Sequence, residues 1–193
     1  MNTYELILAS GSPRRKELLA RAGYIFRIIV SDTEEDLPSH AEPAEIAMRN
    51  ASLKAKAVAS MCSPSELVIG ADTIVAIDGV LFGKPRDEEE AHSMLEALSG
   101  RTHQVITGVC LMGKDVYQPF SETTDVTFRK LSPDEIDAYV KTGEPLDKAG
   151  AYGIQGKGGA LVDHIDGDYD NVVGLPVDEL ARHLSQLGVS TNA

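Results

Sequence analysis

The sequence has no tryptophan, two cysteines, and 18 Lys and Arg against 30 Asp and Glu, a net charge of −12. The shortage of positive charge argues against a general binder of nucleic acid or of anionic membranes, since both depend on long-range attraction to a basic surface. It leaves room for a small polyanion in a local basic pocket. No apolar run approaches the ~20 residues of a membrane span. Leu6–Ala9 is too short for a secretory leader and has no basic stretch before it. The expectation is therefore a cytoplasmic protein with neither a membrane nor a nucleic-acid partner. Cys62 falls in an expected loop and Cys110 in an apolar strand, which reads as two free thiols in a reducing compartment. The five histidines have no metal-ligand spacing, and there is no internal repeat, low-complexity tract or linker.

What is present is an alternation of strands and helices in 193 residues, enough for one domain over residues 1–193. Strands are expected at Glu5–Ala9, Ile25–Val30, Leu67–Ala71, Ile74–Ile77, Val80–Phe82, His103–Met112, about Thr123–Arg129 and Ala160–Ile165. Helices are expected at Arg14–Ala22, Glu42 to about Met61, after Asp87 to Leu98, after the capping box Ser132-Pro133-Asp134-Glu135, and at Pro176–Leu187. Asp78-Gly79 is a hairpin signal. The fold class is α/β with a mixed sheet, because hairpins interrupt the strand–helix alternation.

Ser10–Lys16, SGSPRRK, sets two hydroxyls, a small-residue turn and three cations at a helix start. A helix N-terminus already carries partial positive charge and unpaired N–H groups, so Arg14, Arg15 and Lys16 there are unfavourable without an anion. A phosphate site would resolve the conflict. A solvated start paired with Glu17 and other acids is the competing reading, and the segment is not a Walker A loop.

In LVIGADTIVAIDGVLFGKP, Leu67–Pro85, an apolar strand delivers Asp72 and Thr73 at its carboxyl end, and Lys84 follows in a tight Gly-Lys-Pro turn. Asp72 is then a hydrogen-bonded turn former, a cation ligand or a base. The loop Ser31–Asp36 clusters Asp32, Glu34, Glu35 and Asp36, which suits a divalent cation or a solvated surface. In Asp147–Pro176, Gly153, Gly156, Gly158 and Gly159 imitate a dinucleotide loop, but neither a preceding strand nor a following helix is expected. A glycine-rich turn beside a flat base, with Gln155 reading a pyrimidine edge, and a plain structural loop are the two remaining readings.

Taken together, ASGSPRR, GADTIV with its downstream GKP, LSGRTHQVITGV, and KAGAYGIQG with IDGDYDNVVGLP resemble the Maf family of nucleoside triphosphate pyrophosphatases, in the family's order from Leu6 to about Pro176. The resemblance implies an elongated, mixed α/β fold of the inosine triphosphatase-like kind, with a cleft between two lobes and commonly a homodimer. It also implies hydrolysis of a nucleoside triphosphate to the monophosphate and pyrophosphate with Mg²⁺ or Mn²⁺. SGSPRR, Thr73 after Asp72, and Gln155 in YGIQG resemble the dTTP/UTP branch rather than the 7-methyl-GTP branch. By position, the resemblance makes Asp72 the proton acceptor and Arg15, Thr73 and Gln155 the specificity residues. It places Ser10, Arg14, Glu34, Lys54 and Lys84 in the cleft, with Glu34 and Asp72 nearest a metal. Lys54 and the choice of Glu34 over Glu35 rest on resemblance alone.

Overall fold

The computed structural model describes residues 4–33 and 41–191. Its centre is a mixed seven-stranded sheet in the order β2-β1-β3-β5-β6-β7, with β4 also pairing β3. The strands are β1 (Glu5–Leu8), β2 (Phe26–Ile28), β3 (Glu66–Ile77), β4 (Val80–Phe82), β5 (Thr102–Gly113), β6 (Val116–Phe128) and β7 (Val162–Asp166). β1 runs parallel to β2 and β3, and the other pairs are antiparallel. The helices are α1 (Pro13–Arg21), α2 (Pro43–Ala59), α3 (Glu88–Leu98), α4 (Pro133–Val140), α5 (Tyr169–Val173) and α6 (Val177–Gln186). Among the described residues no helix is long and apolar enough to cross a membrane, and both cysteines are free.

The local signals operate as their chemistry requires. Asp87 accepts the Glu90 N–H at 2.8 Å, and Ser132 and Glu135 form a reciprocal capping box. At the β3–β4 hairpin both Asp78 and Gly79 have positive φ, 49° and 77°, the pattern of a two-residue turn matched to strand twist. Four expectations need correction. The two strands expected at Leu67–Ala71 and Ile74–Ile77 are one continuous β3, because Asp72 and Thr73 keep their ladder positions opposite Gly108 and Thr107. β6 begins at Val116, well before Thr123, and Pro119 is tolerated because β7 pairs only with the far end, Asp125–Phe128. Residues 144–161 contain three 3-10 turns, so the strand expected from Ala160 starts at Val162. Tyr169–Val173 forms a short, unanticipated helix capped by Asp168, which accepts the Asp170 N–H at 2.8 Å.

Two features of the sheet create the site. First, β5 pairs with β3 from Val68 to Ala76, but the other edge of β3 is shared. β1 takes Glu66–Ile69 and β4 takes Val75–Ile77, leaving the stretch around Asp72 and Thr73 without a strand partner on that side. Second, one face of the sheet carries two separate apolar clusters. Leu67, Ile69, Val109 and Phe120 belong to one, beside α1 and α6, and Val75, Val105, Val126 and Phe128 to the other, beside α3 and α4. Between them runs a polar row of Thr73, Thr107, Asn171 and Thr124.

Candidate active site

The gap at the edge of β3 opens into a cleft of about 750 Å³, the size of a small-ligand pocket (about 300–1,000 Å³). It is lined by Ser10, Arg14, Arg15, Lys54, Asp72, Thr73, Lys84 and Gln155, so every sequence-predicted site residue among those described converges there. Glu34, with Glu35 and Asp36, lies outside the described residues; Ser31 and Thr33, leading into that segment, also line the cleft. Lys16, the third cation of the α1 start, is exposed and is not part of the lining.

Asp72 is 2% exposed on the cleft floor, and both of its oxygens are held. Lys54 Nζ donates to Oδ1 at 2.8 Å, and Asn50 Nδ2 to Oδ2 at 3.0 Å. Asn50 and Lys54 are one helical turn apart on α2 and so share a face. That face reaches Asp72 because α2 lies against glycines. A Cβ on Gly70 would fall 2.2 Å from the Ala51 carbonyl oxygen, and one on Gly108, the ladder partner of Asp72, 2.2 Å from the Ala47 carbonyl carbon. Sequence reasoning missed Asn50; its spacing of four from Lys54 was the available signal.

Arg14 and Arg15 take different directions. Arg15 turns inward, donating from Nε to the Gly174 carbonyl at 2.8 Å, from Nη2 to Thr73 Oγ1 at 3.0 Å and from Nη1 to Ser10 Oγ at 3.3 Å. Thr73 and Thr107 hydroxyls are 2.9 Å apart, and Thr107 donates to the Asn171 carbonyl at 3.1 Å. The buried Asn171 amide donates to Val105 O and Thr124 Oγ1, both at 3.0 Å. Arg14 instead faces the opposite bank, where Nη1 is 3.6 Å from Asp147 Oδ2. The other oxygen of Asp147 accepts from Lys148 Nζ at 2.6 Å. Burial alone would raise the Asp147 carboxyl, but the bond and charge of Lys148, with Arg14, hold it below the usual range.

The opposite bank is the glycine-rich segment, and its glycines serve side chains rather than a dinucleotide. A Cβ on Gly153 would fall 2.5 Å from Lys148 Cε, and one on Gly156 2.6 Å from each Glu144 carboxylate oxygen. Gln155 is exposed at the apex of the intervening turn, facing the cleft. Behind it, His103 is buried in the second apolar cluster, with Nε2 2.7 Å from the Tyr152 hydroxyl and its ring edge-on to Phe128. Burial lowers the His103 pKa to about 4.

Among the described residues no three His, Cys, Asp or Glu side chains gather as a metal cluster. Asp72 alone can nevertheless serve a cation that draws its remaining ligands from substrate and water. Each of its oxygens accepts one of the hydrogen bonds above, and a carboxylate offers about four lone-pair sites.

Comparison with known proteins identifies relatives over nearly the whole chain. Curated relatives named dTTP/UTP pyrophosphatase include one from Bacillus cereus, 53% identical over 97% of this chain and 92% of that protein. Another, from Bacillus cytotoxicus, is 54% identical over 94% of this chain and 95% of its own. Among solved structures, the Staphylococcus aureus Ham1 protein is similar at 19% identity and a TM-score of 0.41, covering 64% of this chain and 71% of that one. The Maf-like protein family matches residues 5–187, so the chain belongs to the Maf family.

Proposed function

We propose that the protein hydrolyses nucleoside triphosphates, dTTP and UTP foremost, to the monophosphate and pyrophosphate. The observation that carries this reading is the clamped Asp72 carboxylate on the floor of a cleft with Arg14, Lys54 and Lys84 around it and Gln155 on its far wall. The names of relatives more than half identical over nearly the whole chain support the same choice of substrate.

In this reading Asp72, oriented by Lys54 and Asn50, takes a proton from a water whose oxygen bonds to the α-phosphorus in line. The bond to the bridging oxygen breaks, and pyrophosphate leaves with its electron pair. Arg14, Lys54 and Lys84 neutralise the charge that shifts toward the leaving group. Ser10 and Arg15 shape the near wall, with Thr73 bound to Arg15, and Gln155 reads the pyrimidine edge. A divalent cation such as Mg²⁺ or Mn²⁺ would be held by Asp72 and, by the family resemblance, Glu34, and would supply further charge neutralisation.

The test is a panel of triphosphates, including dTTP, UTP, CTP, GTP and 7-methyl-GTP, incubated with protein and Mg²⁺ and assayed for both products. Pyrophosphate and monophosphate from dTTP and UTP support the proposal. Orthophosphate as the first product contradicts attack at the α-phosphorus, and absence of turnover throughout contradicts an enzymatic role.

A further inference from the structure

Glu144 was not singled out by its sequence context, yet it has the most densely bonded carboxylate on the far bank of the cleft. Oε1 accepts the Tyr139 hydroxyl at 2.9 Å and the Gly158 N–H at 3.1 Å, while Oε2 accepts the Lys157 N–H at 3.1 Å. The Tyr139 oxygen in turn accepts the Gly153 N–H at 3.2 Å. Both legs of the turn that carries Gln155 are therefore tied to one carboxylate, directly at 157–158 and through Tyr139 at 153. Neighbouring glycines make the fit possible. A Cβ on Gly156 would collide with the carboxylate, and one on Gly158 would fall 2.5 Å from the Tyr139 oxygen. Burial works against the charge of Glu144, but the two N–H bonds and the hydroxyl outweigh it and hold the carboxyl below its ordinary range.

We infer that Glu144 is a positioning residue for base recognition: its carboxylate fixes the 153–158 turn so that Gln155 meets the nucleobase in one orientation. This rests on the proposed activity, in which Gln155 reads a pyrimidine. Uracil offers a ring N–H and a carbonyl where cytosine offers an acceptor nitrogen and an amino group. A Gln amide has both a donor and an acceptor end, so on a loose backbone it can satisfy either base. Holding the backbone beneath it fixes where each end of the amide can reach, which favours one base over the other, and Glu144 holds that backbone.

The experiment compares wild type, Glu144→Gln, Tyr139→Phe, Gln155→Ala and the Glu144→Gln/Gln155→Ala double variant, with UTP and CTP as substrates. Glu144→Gln keeps size and one acceptor oxygen but sets an NH2 group against backbone N–H donors. It is expected to raise KM for UTP about tenfold or more while kcat falls less than about threefold, and to reduce UTP-over-CTP discrimination. Tyr139→Phe, with the carboxylate intact, shifts both in the same direction by less. In the Gln155→Ala background, Glu144→Gln has no further effect on discrimination, because one residue acts through the other. Amide hydrogen exchange provides a readout independent of turnover: Lys157 and Gly158 lose protection in Glu144→Gln while the core strands keep theirs. Unchanged discrimination in Glu144→Gln, an equal loss with and without Gln155, or unchanged protection at Lys157 and Gly158 each overturns the inference. If wild type turns over neither nucleotide, the activity proposal fails instead, and the exchange comparison still decides whether Glu144 holds the turn.

Discussion

Gly108 stands opposite Asp72 in the β3–β5 ladder, and α2 fills the space where a side chain on Gly108 would be. The catalytic carboxylate of the proposed reaction is thus placed by the absence of a side chain on the next strand. Gly108→Ala should push α2 from the sheet, draw Lys54 and Asn50 away from Asp72, and cost about 3 kcal/mol or more, at the upper end of overpacking effects. Urea denaturation checks the stability, and a loss of turnover greater than the folded fraction explains checks the site.

Asp72→Asn preserves shape while removing the proton acceptor and the counter-charge of Lys54. Turnover of dTTP should fall about 10²–10⁴-fold, the usual contribution of a general base, with far-ultraviolet circular dichroism unchanged. Turnover near that of wild type would remove Asp72 from the mechanism.

Thr73→Val deletes the hydroxyl that accepts from Arg15 Nη2 and lies 2.9 Å from Thr107 Oγ1. With Arg15 released, KM for pyrimidine triphosphates should rise about tenfold, as expected for losing a hydrogen bond to a charged group. Steady-state kinetics on dTTP and UTP measure it, and an unchanged KM would show that the Arg15–Thr73 contact has no part in binding.

Asp147 occupies Arg14 and Lys148 at 3.6 and 2.6 Å, so a polyphosphate that needs Arg14 must displace a carboxylate first. Asp147→Asn should lower KM for the triphosphate by about two- to fivefold, the range of an exposed ion pair, and make KM rise more steeply with salt. A higher KM would show that Asp147 aids substrate binding.

His103 makes stability sensitive to mild acid. Its pKa is lowered from 6.5 to about 4, so between these values the unfolded chain takes up a proton that the folded chain refuses. The sign follows directly: its contribution is fully present above pH 6.5 and is lost as pH falls through about 4, amounting to about 3 kcal/mol. His103→Phe should flatten that part of the slope when denaturation midpoints are measured from pH 7 to 4.

Much of this was legible in sequence because it depends on local chemistry. The cap at Ser132, the Asp78-Gly79 turn and the crowding of cations at α1 each depend on a few adjacent residues. The division of roles between Arg14 and Arg15 rests on family resemblance; in the structure Arg15 bonds Ser10, Thr73 and Gly174, and Arg14 faces across the cleft. Glu144 and the backbone approach at Gly70 and Gly108 were not legible, because their partners lie elsewhere in the chain, and Asn50 was signalled only by its spacing of four from Lys54. A glycine that admits a helix and one that serves a turn look alike in a linear text. The continuity of β3 was obscured for a related reason: an Asp-Thr pair inside an apolar run reads as an interruption until its ladder partners are known.

The polar row of Thr73, Thr107, Asn171 and Thr124 has a consequence for how such a protein can be altered. Arg15 and Gly174 lie beside the apolar cluster of α1 and α6, whereas the Gln155 turn is anchored through Glu144 and Tyr139 on the side of α3 and α4. A hydroxyl-lined seam parts the two clusters, but Ile154, next to Gln155 in its turn, packs against both, so substitutions on the two sides should couple through it rather than simply add. Base preference, which the resemblance assigns to Arg15 and Thr73 on one side and Gln155 on the other, then has to be re-engineered across both banks at once.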